Sequence, residues 1–124
     1  EGLSYHYMPP SDYVEMKNCK KVAEIFDKYG FPYVVGKTWT TDGLYMETQN
    51  KVNRRKSEGC ISVEMEASGL QATCNYYGFE LYTFFYGGDL FDGESWDRAN
   101  LGGNGEHDIS KATFDIALTL ALNI

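Results

Sequence analysis

The sequence predicts an α/β domain of three layers, α/β/α, with a mixed, largely parallel sheet between helices. Three observations carry this reading. Residues 59–65 alternate in polarity as a strand does, residues 79–86 form a nearly continuous apolar run with one charge, Glu80, and apolar residues at 3/4 spacing mark helices between the strand-like segments. The run at 79–86 has the look of a central strand covered on both faces.

The elements follow in order. Residues 3–8 alternate and are aromatic, which predicts a short strand that Pro9-Pro10-Ser11 breaks. Asp12 stands three residues before Glu15, a capping-box spacing. It predicts a helix whose Met16, Cys19, Val22, Ala23 and Phe26 share one buried stripe, stopped by Gly30 with Pro32 beyond. Residues 33–39 read as a strand closing at Thr40-Thr41-Asp42-Gly43. The polar, basic segment 47–56, with Lys51, Arg54, Arg55 and Lys56, reads as a solvated helix face in preference to a phosphate-binding patch. In the strand at 59–65, Ile61, Val63 and Met65 point to one side and Ser62, Glu64 and Glu66 to the other. Ala67, Leu70, Cys74 and Tyr77 then step by helical spacing toward a stop at Gly78. The strand at 79–86 ends in Gly87-Gly88-Asp89. A loop holding Trp96 and the Gly102-Gly103-Asn104-Gly105 run leads to a last helix over 110–122. Its wide apolar face (Ile109, Ala112, Phe114, Ile116, Ala117, Leu118, Leu120) predicts deep burial.

Composition excludes several classes. With 43% hydrophobic residues, 10 Tyr and 7 Phe in 124 residues, the chain carries enough apolar surface for one folded core. No run approaches the roughly 18 apolar residues of a membrane span. Eleven Lys and Arg against 18 Asp and Glu leave a net charge of −7, which repels nucleic acid and anionic membranes. Cys19, Cys60 and Cys74 are odd in number and form no CxxC, so reduced thiols in a cytoplasmic protein are expected. The two histidines, His6 and His107, have no motif neighbours, and neither a structural zinc site nor a catalytic triad is expected from them. The chain opens on Glu1 with neither a basic nor an apolar leader, and reads as one cut from a longer sequence.

In open α/β sheets, ligands bind beyond the carboxyl ends of strands. Three such ends carry chemistry here: Thr41-Asp42-Gly43-Leu44-Tyr45, Glu64-Met65-Glu66 and Gly87-Gly88-Asp89. By spacing alone, Glu64 and Glu66 suit either a helix N-terminus or the hydroxyls of a sugar packed on Met65. Asp89 suits either a plain turn or a general acid. The run at 102–105 follows a loop and does not fit a phosphate cradle. Tyr82, Phe84, Phe85 and Tyr86 suit core packing better than a stacking platform for bases.

Beyond spacing, Val63-Glu64-Met65-Glu66-Ala67-Ser68-Gly69-Leu70 resembles the V-E-M-E-A-x-G/A-x signature of the nucleoside phosphorylase and nucleosidase superfamily. Asp89 stands where the purine-handling branches keep a catalytic Asp. Gly36-Lys37-Thr38-Trp39-Thr40-Thr41-Asp42-Gly43-Leu44-Tyr45 is similar to the segment whose aromatic residue stacks on the base, and residues 1–7 resemble the strand that follows an Arg-Asp-Glu-Gly element.

The resemblance covers the C-terminal half of the family's domain, so residues 1–124 are expected to be the C-terminal portion of one such domain. It implies cleavage of the N-glycosidic bond of a nucleoside, purine by preference, with inorganic phosphate as co-substrate. It implies no other cofactor, no metal and a homo-oligomer. Glu66 would accept hydrogen bonds from the ribose hydroxyls, Met65 would pack on the ribose, and Glu64 would help bind or orient the nucleoside. Asp89 would donate to the purine N7, and Leu44 and Tyr45 would line the base pocket. The chain departs from the pattern at Gly88, where purine relatives carry Ser. It departs again at Leu44, where Phe is usual, and at Thr48-Gln49-Asn50, where the uridine branch carries Gln-x-Arg. The alternatives are a uridine phosphorylase or a nucleosidase of the same fold, or a nucleoside-binding fragment without turnover of its own.

Overall fold

The computed structural model describes residues 7, 11–91, 95–97 and 106–124. The strand expected over 3–8 falls almost wholly outside the described residues, and the glycine run at 102–105 lies wholly outside them. The order of elements is α1 (Cys19–Tyr29), β1 (Lys37–Thr40), a 3₁₀ turn (Leu44–Met46), α2 (Gln49–Ser57), β2 (Cys60–Glu64), α3 (Ala67–Tyr77), β3 (Leu90–Phe91), β4 (Trp96–Asp97) and α4 (Glu106–Ala121). Helices thus alternate with a parallel strand pair, an α/β arrangement. The chain divides into two compact units, Glu1–Lys20 with Val34–Thr83, and Lys21–Tyr33 with Phe84–Ile124.

The first unit is built on β1–α2–β2. The two strands run parallel, with Thr38 opposite Ser62, Trp39 opposite Val63 and Thr40 opposite Glu64. Parallel neighbours need a crossover, and α2 supplies it. Its Val52 is buried, and the Arg55 guanidinium lies over the Trp39 ring at 5.8 Å from the centroid. The basic segment is therefore a helix packed through one apolar residue, with Arg54 and Arg55 both paired to Glu58. Glycine at position 36 lets the Ile61 side chain approach, since a Cβ there would overlap the Ile61 Cδ1. In α3 the buried residues are Ala67, Gln71 and Ala72. Leu70 and Tyr77, whose spacing predicts the helix, are about half exposed.

The second unit holds the body of α1, the β3–β4 hairpin and α4. Val22, Ile25 and Phe26 are buried on α1. The helix ends in a Schellman motif: Gly30 has φ +69°, its N–H donates to the Asp27 carbonyl at 3.2 Å, and the Phe31 N–H donates to the Phe26 carbonyl at 3.0 Å. The Phe26 and Phe31 rings meet edge to face at 5.6 Å, the apolar contact that accompanies such an end, and Phe84 meets Phe26 at 5.3 Å. Gly78 repeats the device after α3, with φ +73° and the Phe79 N–H donating 2.8 Å to the Cys74 carbonyl.

Several expectations are corrected. The first helix begins at Cys19, not at Asp12. Upstream, the Ser11 hydroxyl donates to the Tyr13 carbonyl at 2.7 Å and accepts from the Tyr13 N–H at 3.3 Å, a local loop that competes with helical bonding. The strand expected over 33–39 starts at Lys37, where its ladder with Cys60 begins; Val34 and Val35 are exposed. Residues 79–89 form no strand, and Phe79, Phe85 and Tyr86 are exposed. β-propensity makes a strand only where a neighbouring ladder accepts it, and none of the described strands pairs with this run. Ile61 and Val63 on β2 stand exposed, and α4 buries Leu120 while Phe114 and Leu118 remain exposed. The predicted apolar faces of β2 and α4 therefore exist as patterns that are buried only in part among the described residues. No described helix is long and apolar enough to cross a membrane. Cys19, Cys60 and Cys74 are free thiols, and no metal-binding cluster occurs among the described residues.

At the amino ends of β1 and β2, Glu58 gathers three donors. Tyr13 donates its hydroxyl to Oε2 at 2.7 Å, Arg55 donates to Oε2 at 2.8 Å and Arg54 donates Nε–H to Oε1 at 2.9 Å. These bonds, Tyr13 first, hold the Glu58 carboxyl down at about 2, against 4.5 for an ordinary glutamate. A depressed folded-state value means that this contribution is present above the unfolded value and lost as pH falls through the folded one. Unfolding measured by circular dichroism is expected to show Glu58→Gln less stable than the wild type above pH 4.5, with the gap closing as pH falls toward about 2. Curves that stay parallel through this window contradict the assignment.

Candidate functional site

The carboxyl ends of β1 and β2 lie side by side, and the ladder continues one residue past β1, where the Thr41 N–H donates to the Glu64 carbonyl at 2.8 Å. Whatever follows each strand is therefore delivered to one edge of the pair. After β1 come Asp42, Gly43 and the 3₁₀ turn with Leu44 and Tyr45; after β2 come Met65, Glu66 and the first turn of α3.

Glu64 is the hub of this edge. One carboxylate oxygen, Oε2, accepts the backbone N–H groups of Glu66 at 2.7 Å and Ala67 at 2.5 Å. The other, Oε1, accepts the Thr40 hydroxyl, which in turn accepts the Ser68 N–H at 3.1 Å. Three of the unsatisfied amides at the start of α3 are thus met by two side chains from neighbouring strands, and the negative charge sits at the positive end of the helix. The residue at the N-cap position, Glu66, makes no side-chain cap bond of its own.

Glu66 is accordingly left facing outward. Its carboxylate is exposed and accepts the Met65 N–H at 3.2 Å, and Met65 is half exposed beside it. An exposed carboxylate next to a thioether on a fixed turn offers acceptors for hydroxyls and an apolar surface for a ring. Thr41 is fully buried and donates to the Gly43 carbonyl at 3.3 Å, which pins the start of the loop. The Tyr45 ring folds back over Gly43, where a Cβ would stand 2.7 Å from Cε1. Leu44 and Tyr45 are both largely exposed, at 74% and 84%. They are side chains with area to give to a flat apolar ligand.

Glu64, Met65, Glu66, Leu44 and Tyr45 thus share one sheet edge of the first unit. Asp89 belongs to the second unit, where it is exposed and directly precedes β3. Sequence reasoning missed Thr40 and Ser68 as partners of the motif. Their link runs between strands, and register across a parallel pair is not written in either segment alone. The signal within reach was a hydroxyl residue, Thr40, at the last position of a strand, directly before Thr41-Asp42-Gly43.

Comparison with known families adds one finding. The family model described as the phosphorylase superfamily matches residues 3–121, almost the whole chain. No curated protein and no solved structure matches it.

Proposed function

This chain belongs to the phosphorylase superfamily, the class of nucleoside phosphorylases and nucleosidases, and from that premise we propose that it carries the C-terminal portion of a purine-preferring nucleoside phosphorylase. In this reading the intact domain has the three-layer fold with a largely parallel sheet, works as a cytoplasmic homo-oligomer, and uses inorganic phosphate as co-substrate and no other cofactor. The observation that supports it most is the Glu64-Met65-Glu66 turn. It sits at the carboxyl edge of a parallel strand pair, in a chain whose family cleaves nucleosides, with Glu64 turned inward and Glu66 outward.

The chemistry follows from where charge develops. Breaking the bond between the anomeric carbon and the base nitrogen leaves positive charge on the pentose and an electron pair on the base. Groups that respond to that change accelerate the step. Glu66 accepts hydrogen bonds from the ribose 2′ and 3′ hydroxyls and holds a negative charge beside the forming cation. Met65 packs on the sugar, and Glu64 orients the turn. Leu44 and Tyr45 cover the base. Asp89 gives a proton or hydrogen bond to N7 as the base departs, and a phosphate oxygen forms the new bond to the anomeric carbon. The products are free base and pentose 1-phosphate.

The test is release of base from inosine, adenosine and uridine by the intact protein, with and without phosphate. The proposal expects release that requires phosphate and is fastest with a purine nucleoside. Equal release without phosphate makes the protein a nucleosidase, and fastest release from uridine overturns the purine preference.

A further inference from the structure

Two hydrogen bonds at the sheet edge are left over from the chemistry above, and both belong to Thr40. Its hydroxyl donates to the Glu64 carboxylate and accepts the Ser68 N–H at 3.1 Å, so one oxygen ties the end of β1 to both the motif and the first turn of α3. A hydroxyl has one proton and two acceptor lone pairs, and this pairing fixes its direction: the proton goes to the carboxylate and a lone pair faces the amide. Glu64 spends its remaining oxygen on the Glu66 and Ala67 amides. The backbone of Glu66 is thereby held from both sides while its carboxylate stays outside the network. The link to Ser68 is to the backbone, since the Ser68 hydroxyl itself is buried without a hydrogen-bond partner among the described residues.

We propose that Thr40 is a positioning residue for sugar recognition: by joining Glu64 to the start of α3, its hydroxyl sets the direction in which Glu66 presents its carboxylate to the pentose hydroxyls. The proposal rests on the reading of Glu66 as the group that accepts those hydroxyls. The two bonds of the Thr40 hydroxyl go to protein groups. It acts by removing the freedom of the 64–66 turn, and a carboxylate displaced by about 1 Å loses on the order of 10²-fold in a reaction that needs alignment.

The readout is the ratio of kcat/KM for inosine to kcat/KM for 2′,3′-dideoxyinosine, measured on the intact protein. A general loosening of the fold lowers both values by the same factor, whereas misdirection of Glu66 lowers the value for the sugar that has hydroxyls further than the value for the sugar without them. Glu66→Ala sets the floor of the ratio. Thr40→Val keeps the shape and removes both bonds, and it is expected to bring the ratio down about tenfold toward that floor, the size of one charge-assisted hydrogen bond held out of line. Thr40→Ser restores the hydroxyl and is expected to keep the wild-type ratio. Thr40→Ala, which also lacks donor and acceptor, carries the same test should the valine variant not fold. A ratio that stays at the wild-type value in the valine or alanine variant, while Glu66→Ala collapses it, overturns the role of Thr40 and leaves the reading of Glu66 standing. A ratio that Glu66→Ala does not change overturns both.

Discussion

Glu66→Ala is expected to lower kcat/KM by about 10²- to 10⁴-fold for every ribonucleoside the intact protein accepts, the cost of two hydrogen bonds to a charged acceptor at about 1.5–3 kcal/mol each. The loss should be shared by purines and pyrimidines, because the proposal assigns Glu66 to the sugar and not to the base. It should leave folding nearly untouched. The side chain is exposed, its one hydrogen bond within the described structure is to the adjacent Met65 N–H, and the amides at the head of α3 are satisfied by Glu64 and Thr40. Steady-state kinetics together with a thermal melt check both halves. A variant that melts like the wild type and retains its rate removes Glu66 from the site. Glu64→Ala differs in kind, since it uncaps the helix and strips Thr40 of its acceptor, and it is expected to lower the melting temperature as well as the rate.

Asp89→Ala carries the second large effect. A proton donor placed at the leaving group is worth about 10²–10⁴-fold. That help is needed most in the transition state, so kcat for purine nucleosides is expected to fall by such a factor while KM moves little. Asp89→Asn, which keeps a hydrogen-bond donor but cannot release a proton, separates the two ways of stabilising N7: partial retention of rate assigns hydrogen bonding, and full loss assigns proton transfer. Unchanged kcat in both variants removes Asp89 from the chemistry.

The sequence and the structure agree most where the signal is local. The stops at Gly30 and Gly78 were legible because a left-handed residue after a helix has a chemical signature, and both glycines adopt positive φ. The strand around 60–64 and the helix that begins at Ala67 were legible from a change of period at Glu66, from two to about three and a half. What failed depends on partners. The aromatic run at 79–86 has every propensity of a central strand and forms none, because propensity supplies no ladder. The apolar faces of β2 and α4 were correct as patterns, yet Ile61, Val63, Phe114 and Leu118 are exposed, since a pattern states which face seeks burial and not what covers it. The candidate site divides in the same way. Glu64, Met65 and Glu66 could be picked out from one segment, but the opposite orientations of the two glutamates could not. Those follow from Thr40 standing beside Glu64 across the strand pair.

The central proposal is that the Glu66 carboxylate receives the sugar hydroxyls of a nucleoside at the Glu64–Glu66 turn. A crystal structure of the intact protein with inosine and sulfate measures this directly. The account predicts Glu66 oxygens within about 2.5–3.0 Å of O2′ and O3′ of the bound molecule. Inosine seated away from the Glu64–Glu66 turn contradicts it.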